Sequence, residues 1–211
     1  TLALYEQIRT QTDIRIHVLI RPRFGDFLYS EDEAALICKE IDAFRTAGAD
    51  GVVIGSLSPD GSLCTEQMKR FREHARDMSV TLHRAFDVCR DPFEALETAK
   101  ELGVNTILTS GQRKSAKEGV EILKQLALKA DGKVDIMAGA GIDADAIRYL
   151  APKTGITTFH MSGKMTLDSR MVYRKEGINM GLPSMSEFEI WRTDEKKVEE
   201  AREVLDQFTA S

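Results

Sequence analysis

The stretch TLHRAFDVCRDP, residues 81–92, sets His83, Arg84, Asp87 and Cys89 within seven residues. Imidazole and carboxylate groups move protons, guanidinium holds anions, and thiols with imidazoles bind soft metals. The stretch therefore reads as part of a metal site, as part of a catalytic centre, or as a strand end whose polar groups satisfy the backbone. A strand rises about 3.3 Å per residue, so His83 and Asp87 on one strand would stand roughly 13 Å apart and could not chelate one ion together. Any partners must come from other elements.

Those elements are legible as six short apolar or β-branched runs, at 14–20, 51–57, 80–86, 104–110, 134–140 and 156–162. Helical patterns lie between them, near 31–47, 65–77, 92–102, 115–130 and 143–150. Strand and helix in alternation predict βαβ units around a parallel sheet. Ser30 with Glu33 and Ser115 with Glu118 have capping-box spacing, Asp91 precedes Pro92 as an N-cap precedes a first-turn proline, and Asp143 is placed to cap the helix after GAGI. Nothing in the composition cuts the chain, so residues 1–211 are read as a single domain. Residues 164–211 form its C-terminal extension, irregular over 164–193 and helical in TDEKKVEEAREVLDQF.

Side-chain alternation selects among parallel folds. Arg15, His17, Leu19 and Arg21 share one face of the first run, opposite Ile14, Ile16, Val18 and Ile20. Thr81, His83, Ala85 and Asp87 oppose Val80, Leu82 and Phe86 in the third run, which puts Arg84 on the apolar side; Thr158, His160 and Ser162 oppose Phe159 and Met161 in the sixth. An open sheet covered on both sides wants two apolar faces, whereas a barrel buries one face under helices and turns the other into a lumen with a polar mouth. The prediction is a (β/α)8 TIM-type barrel from which the first one or two strands are missing in this chain, since six runs are found and the N-terminus looks helical.

Barrel active sites gather at the C-terminal strand ends. His17 and His83 are the candidate acid and base there, with Asp87 orienting an imidazole. Arg21 and Arg23, on either side of Pro22, form an anion clamp or else a salt-bridge cluster with Asp26 or Asp87. Thr109, Ser110, Gly111, Gly139, Gly141, His160, Ser162, Gly163 and Lys164 complete a candidate ligand- and anion-binding set, because glycines let backbone N–H groups approach a phosphate; the alternative is that these glycines make tight turns. Cys89 is the candidate metal ligand. With three cysteines and no CxxC pair, a disulfide framework is not expected. A net charge of −5, no Lys/Arg run, no apolar run of the roughly 18–20 residues a membrane span needs and no signal-peptide core argue against nucleic-acid and membrane partners and predict a cytoplasmic protein.

The strings HVLIRPRFGDFLYSEDE, GADGVVIGSLSPDGSL, HRAFDVCRDPFEAL, ILTSGQ, IMAGAGI and TTFHMSGK, in this order from about residue 14 to about residue 164, resemble the CutC copper-homeostasis family. The resemblance implies a (β/α)8 barrel, a cytoplasmic homodimer or higher homo-oligomer, and a link to copper homeostasis with Cu(I) held by cysteines. The cysteines usually proposed for copper belong to strands that precede Thr1 in the family pattern, so no family ligand carries over. Phe24 and Ala140 stand where the family often has glycine. The expected partner is thus a copper ion or a small anionic ligand. Besides copper homeostasis, the residues suit a lyase- or isomerase-type enzyme acting on a small phosphorylated or carboxylated compound, or a structural subunit that docks through 164–193.

Overall fold

The computed structural model describes residues 1–175, 177–178 and 186–209. Helix α1 (Leu2–Arg9) opens the chain, and its Tyr5 packs edge-on against Phe44. Six strands follow: β1 (His17–Leu19), β2 (Gly51–Ile54), β3 (Ser79–Leu82), β4 (Thr106–Thr109), β5 (Asp135–Gly139) and β6 (Thr158–His160). They pair in sequence order and in parallel, with β1 and β6 as edges. Helices α2 (Glu31–Thr46), α3 (Thr65–Ala75), α4 (Pro92–Glu101), α5 (Val120–Ala130) and α6 (Ala144–Thr154) make the connections. This is a curled (β/α) sheet two strands short of the eight that close a TIM-type barrel.

The helices form where the sequence supplies starts. Ser30 and Glu33 bond each other's backbone as a full capping box, Asp91 accepts from Phe93 and Glu94 N–H ahead of Pro92, and Asp143 accepts from Ala146 N–H. The core lies between these helices and the outer face of the sheet. Val52, Ile54, Val80, Leu82, Ile107, Ile136 and Ala138 meet Ile37, Ile41, Phe71, Leu96, Leu123 and Leu150 there, each large side chain contributing about 1.5–3 kcal/mol by leaving water.

Three expectations change. The third run does not stay extended to Phe86: β3 stops at Leu82 and residues Arg84–Val88 coil into a 3-10 helix, with His83 Nδ1 accepting from Ala85 N–H as its cap. Ser115 and Glu118 do bond as a capping pair, but α5 starts only at Val120, after a separate turn. The extension is not irregular throughout: β7 (Lys164–Asp168) and β8 (Glu189–Thr193) form an antiparallel hairpin, and the terminal helix α7 (Glu195–Thr209) packs on α6 with Ala201 and Val204 buried. Residues 176 and 179–185 of the segment expected to be irregular lie outside the described residues.

Ala140 holds φ 78°, a left-handed conformation that costs a Cβ-bearing residue about 1–2 kcal/mol. Ala140→Gly should therefore raise unfolding stability by up to about 1 kcal/mol, since glycine also gives up more chain entropy; urea titration of the two proteins checks it.

Candidate functional site

The concave face of the sheet opens into a cavity of about 560 Å³. Alternate residues of β1 and its flanks enter it (Arg15, His17, Leu19 and Arg21), followed across the sheet by Val53, Thr81, His83, Leu108, Met137 and His160, with Arg84 and Phe27 from the loops above. Period-2 geometry thus delivers the lumen face expected of the first run in full, and Thr81, His83 and His160 of those expected of the third and sixth. Among the described residues the wall carries three arginines and three histidines and no Asp or Glu.

Glycines make room for the two inner imidazoles. A Cβ at Gly51 would lie 2.7 Å from the His17 ring, and one at Gly55 would lie 2.7 Å from the His83 ring. The GVVIG stretch of β2 is therefore a pair of slots for imidazoles from the strands on either side, a signal readable in the sequence only once neighbouring strands are in register. His17 Nδ1 is 3.3 Å from Thr81 Oγ1, so His17 levels with Thr81, while His83 sits higher against Phe27, ring centroids 4.8 Å apart. Arg21 covers the same Phe27 ring at 4.6 Å.

His83 is buried, and its environment sets its proton. Because Nδ1 accepts from Ala85 N–H at 3.2 Å, the neutral ring carries its hydrogen on Nε2, and that N–H has no partner; Arg21 Nε is likewise buried and unbonded. Burial pushes the His83 imidazole down to about 4, and the positive charge of Arg21 acts in the same direction. Burial also lowers His17. At neutral pH the site thus holds a neutral donor at His83 and a neutral imidazole at His17.

Asp87 does something other than orient His83. The 3-10 turn swings its buried carboxylate toward the loop after β4, where Oδ1 accepts from Thr109 Oγ1 at 2.5 Å, Ser110 N–H at 2.9 Å and Gln112 N–H at 3.2 Å. Oδ2 accepts from Arg84 Nε at 2.6 Å. Ser110 Oγ lies 3.0 Å from Oδ2 and 2.6 Å from the Arg113 carbonyl, and its single proton serves one of them. Gly111 N–H donates back to Thr109 Oγ1. Thr109, Ser110 and Gly111 therefore hold Asp87, and Asp87 holds Arg84 at the cavity wall. The same turn corrects the assignment of Arg84 to the apolar side of a strand.

The remaining candidates separate. Arg23 is tied to Glu33 at 2.5 Å, to Asp26 at 2.9 Å and to the Leu28 carbonyl, so it closes its own loop instead of pairing with Arg21 in a clamp. Gly139 backs the floor, where a Cβ would meet Leu108 at 2.5 Å, and Gly141 (φ 71°) makes the turn into α6, whose N-terminus Asp143 already caps. A Cβ at Gly163 would crowd Thr193 and Val198, Ser162 Oγ accepts from Lys164 N–H, and Lys164 stacks on Trp191 at 3.7 Å. These four residues serve the hairpin and the α6 turn, not the cavity. Cys89 is buried, its thiol is pushed up to about 11 by burial, and Gln112 Nε2 donates to its sulfur at 3.3 Å. Among the described residues no three His, Cys, Asp or Glu groups come together in a way that could hold a metal ion, and no helix is long and apolar enough to cross a membrane.

A curled parallel sheet of β/α units with a basic cavity at its strand ends defines a barrel-type protein. The chain belongs to the CutC family, whose profile matches residues 1–165. A CutC family protein of Bacteroides fragilis is 43% identical over 205 residues, 97% of this chain and 81% of the relative. The solved CutC of Streptococcus agalactiae, described as a copper homeostasis protein, superposes with TM-score 0.71 at 26% identity, covering 75% of this chain and 78% of that one. The aldolase QR15 shares the fold at TM-score 0.59 and 16% identity, covering 75% and 72%.

Two outcomes follow from the site. Between pH 6.5, the ordinary histidine value, and about pH 4, the unfolded chain takes up a proton at residue 83 and the folded chain does not. The stability present above pH 6.5 should therefore fall as the pH drops, by about 3 kcal/mol across the window, and His83→Gln should flatten that slope in urea titrations at stepped pH. Asp87→Ala should cost about 3 kcal/mol, because it strands several buried donors at once, and a lowered urea midpoint measures it.

Proposed function

We propose that the chain is an enzyme of lyase or isomerase type that acts on a small carboxylated or phosphorylated compound by proton transfer next to a carbonyl. One observation carries the reading: two buried donors, His83 Nε2–H and Arg21 Nε–H, have no hydrogen-bond partner, and both side chains line a cavity that also holds Arg15 and Arg84. Buried donors without partners are costly, about 1–3 kcal/mol each, and an oxyanion would relieve both. Arginines bind the anionic group. His83, kept neutral, donates to the carbonyl oxygen, a role suited to an imidazole that must not ionise. His17, also neutral, accepts the proton released from the adjacent carbon, the C–H electron pair moves into the enolate whose oxygen His83 holds, and return of the proton completes an isomerisation. A cytoplasmic setting and a homo-oligomeric state belong to the same proposal.

Copper binding is the second reading, and family membership supports it. The residues present do not fit the ion: the buried thiol of Cys89 resists ionisation, and among the described residues no three His, Cys, Asp or Glu groups come together to hold a metal.

Thermal-shift titration separates the two. Millimolar phosphate or small carboxylates should raise the melting temperature, and Arg84→Ala should abolish the rise; a protein indifferent to every anion would sink the enzyme reading. Cu(I) titration against a competing chelator should show no stoichiometric site lost in Cys89→Ser, and loss of such a site would restore copper.

A further inference from the structure

We propose that the compound taken by this cavity is a 2-oxo acid with an apolar chain. The proposal rests on the enzyme reading and narrows it from anions in general to one class. Its basis is the hydrogen-bond balance of the wall. Arg15, Arg21 and Arg84 have side chains that can only donate, and the partnerless nitrogens of His83 and Arg21 are both donors. Among the described residues no Asp, Glu, Asn, Gln, Ser or Tyr side chain lines the cavity. Among the described residues the acceptors left in the wall are few: Thr81 and His17 Nδ1 engage each other, which leaves the second ring nitrogen of His17, kept for the proton, and the imidazole of His160. A sugar phosphate brings several hydroxyl protons that would find few side-chain acceptors here, whereas a 2-oxo acid brings none: its carboxylate and its neighbouring carbonyl oxygen only accept.

The two unpaired donors also belong to side chains that share a neighbour. His83 and Arg21 both pack on the Phe27 ring, at 4.8 Å and 4.6 Å, and the charge of Arg21 is felt at the His83 imidazole. A carboxylate on Arg21 with the 2-oxo oxygen on His83 Nε2–H uses this pairing, and Phe27 is the group that shifts to admit it. Leu19, Val53, Leu108 and Met137 then receive the hydrocarbon chain. The carbon next to the carbonyl carries the proton that His17 would take.

The test compares 4-methyl-2-oxopentanoate with its 2-hydroxy analogue, ribose 5-phosphate and inorganic phosphate by calorimetry on the whole chain. The oxo acid should bind at least about tenfold more tightly than the hydroxy acid, whose hydroxyl can accept from His83 Nε2–H only by leaving its own proton short of an acceptor, a difference of about 1.4 kcal/mol. His83→Phe should erase that difference; if this variant does not fold, Arg21→Met should weaken the oxo acid at least about tenfold. Nitrogen-15 spectra of the wild-type protein should show the His83 Nε2–H resonance move on titration with the oxo acid. Equal or tighter binding of the hydroxy acid overturns the proposal. Binding of phosphate or ribose 5-phosphate alone overturns it while leaving the enzyme reading standing, and binding of none of the four removes both.

Discussion

Each strand of the curled sheet has to bury one face under helices, and everything at the site depends on that constraint. Covering the outer face with Val52, Ile54, Val80, Leu82 and Ile107 sends the alternate residues to the concave side, where no helix covers them. The same alternation that builds the core therefore delivers His17, Arg21, Thr81, His83 and His160 to one cavity. A slip of one residue in any strand would exchange core for site.

A second layer of organisation stands on the first. Once β3 and β4 lie side by side, their following loops are neighbours, and the Asp87 carboxylate can reach the hydroxyls and amides of Thr109, Ser110 and Gln112. A buried carboxylate is tolerated because so many donors converge on it. Its bond to Arg84 then turns a structural clasp into a means of presenting positive charge at the wall. Chemistry and scaffolding divide between two residues that are four apart in sequence: His83 lines the cavity and Asp87 anchors it.

The absence of carboxylates from the wall shapes what the site can do. Among the described residues histidine is left as the side chain there suited to proton transfer, and burial keeps both inner imidazoles neutral at ordinary pH. Hard divalent cations would find no oxygen ligands of the usual kind in that wall, and the thiol of Cys89 lies outside it. The family's association with copper and the chemistry of this cavity therefore point in different directions.

By itself the sequence determined the strand–helix alternation, most helix starts and the concave face of the sheet, because period-2 and period-3.6 patterns and short-range caps are local properties of the chain. Arg15, His17, Arg21, His83 and His160 were all placed by alternation alone. Tertiary structure decided the rest. The capture of Asp87 by the next loop, and with it the placing of Arg84 at the cavity, depends on which loops become neighbours. So do the roles of Gly139, Gly163 and Lys164, whose surroundings come from Leu108, the hairpin and α7. The ties of Arg23 to Asp26 and Glu33 lie within one loop and its helix, and the sequence leaves the pairing with Asp26 open beside the clamp. A hydrogen bond between residues more than twenty positions apart leaves no periodic trace in the sequence, and that is why the partners of each polar group became visible only in three dimensions.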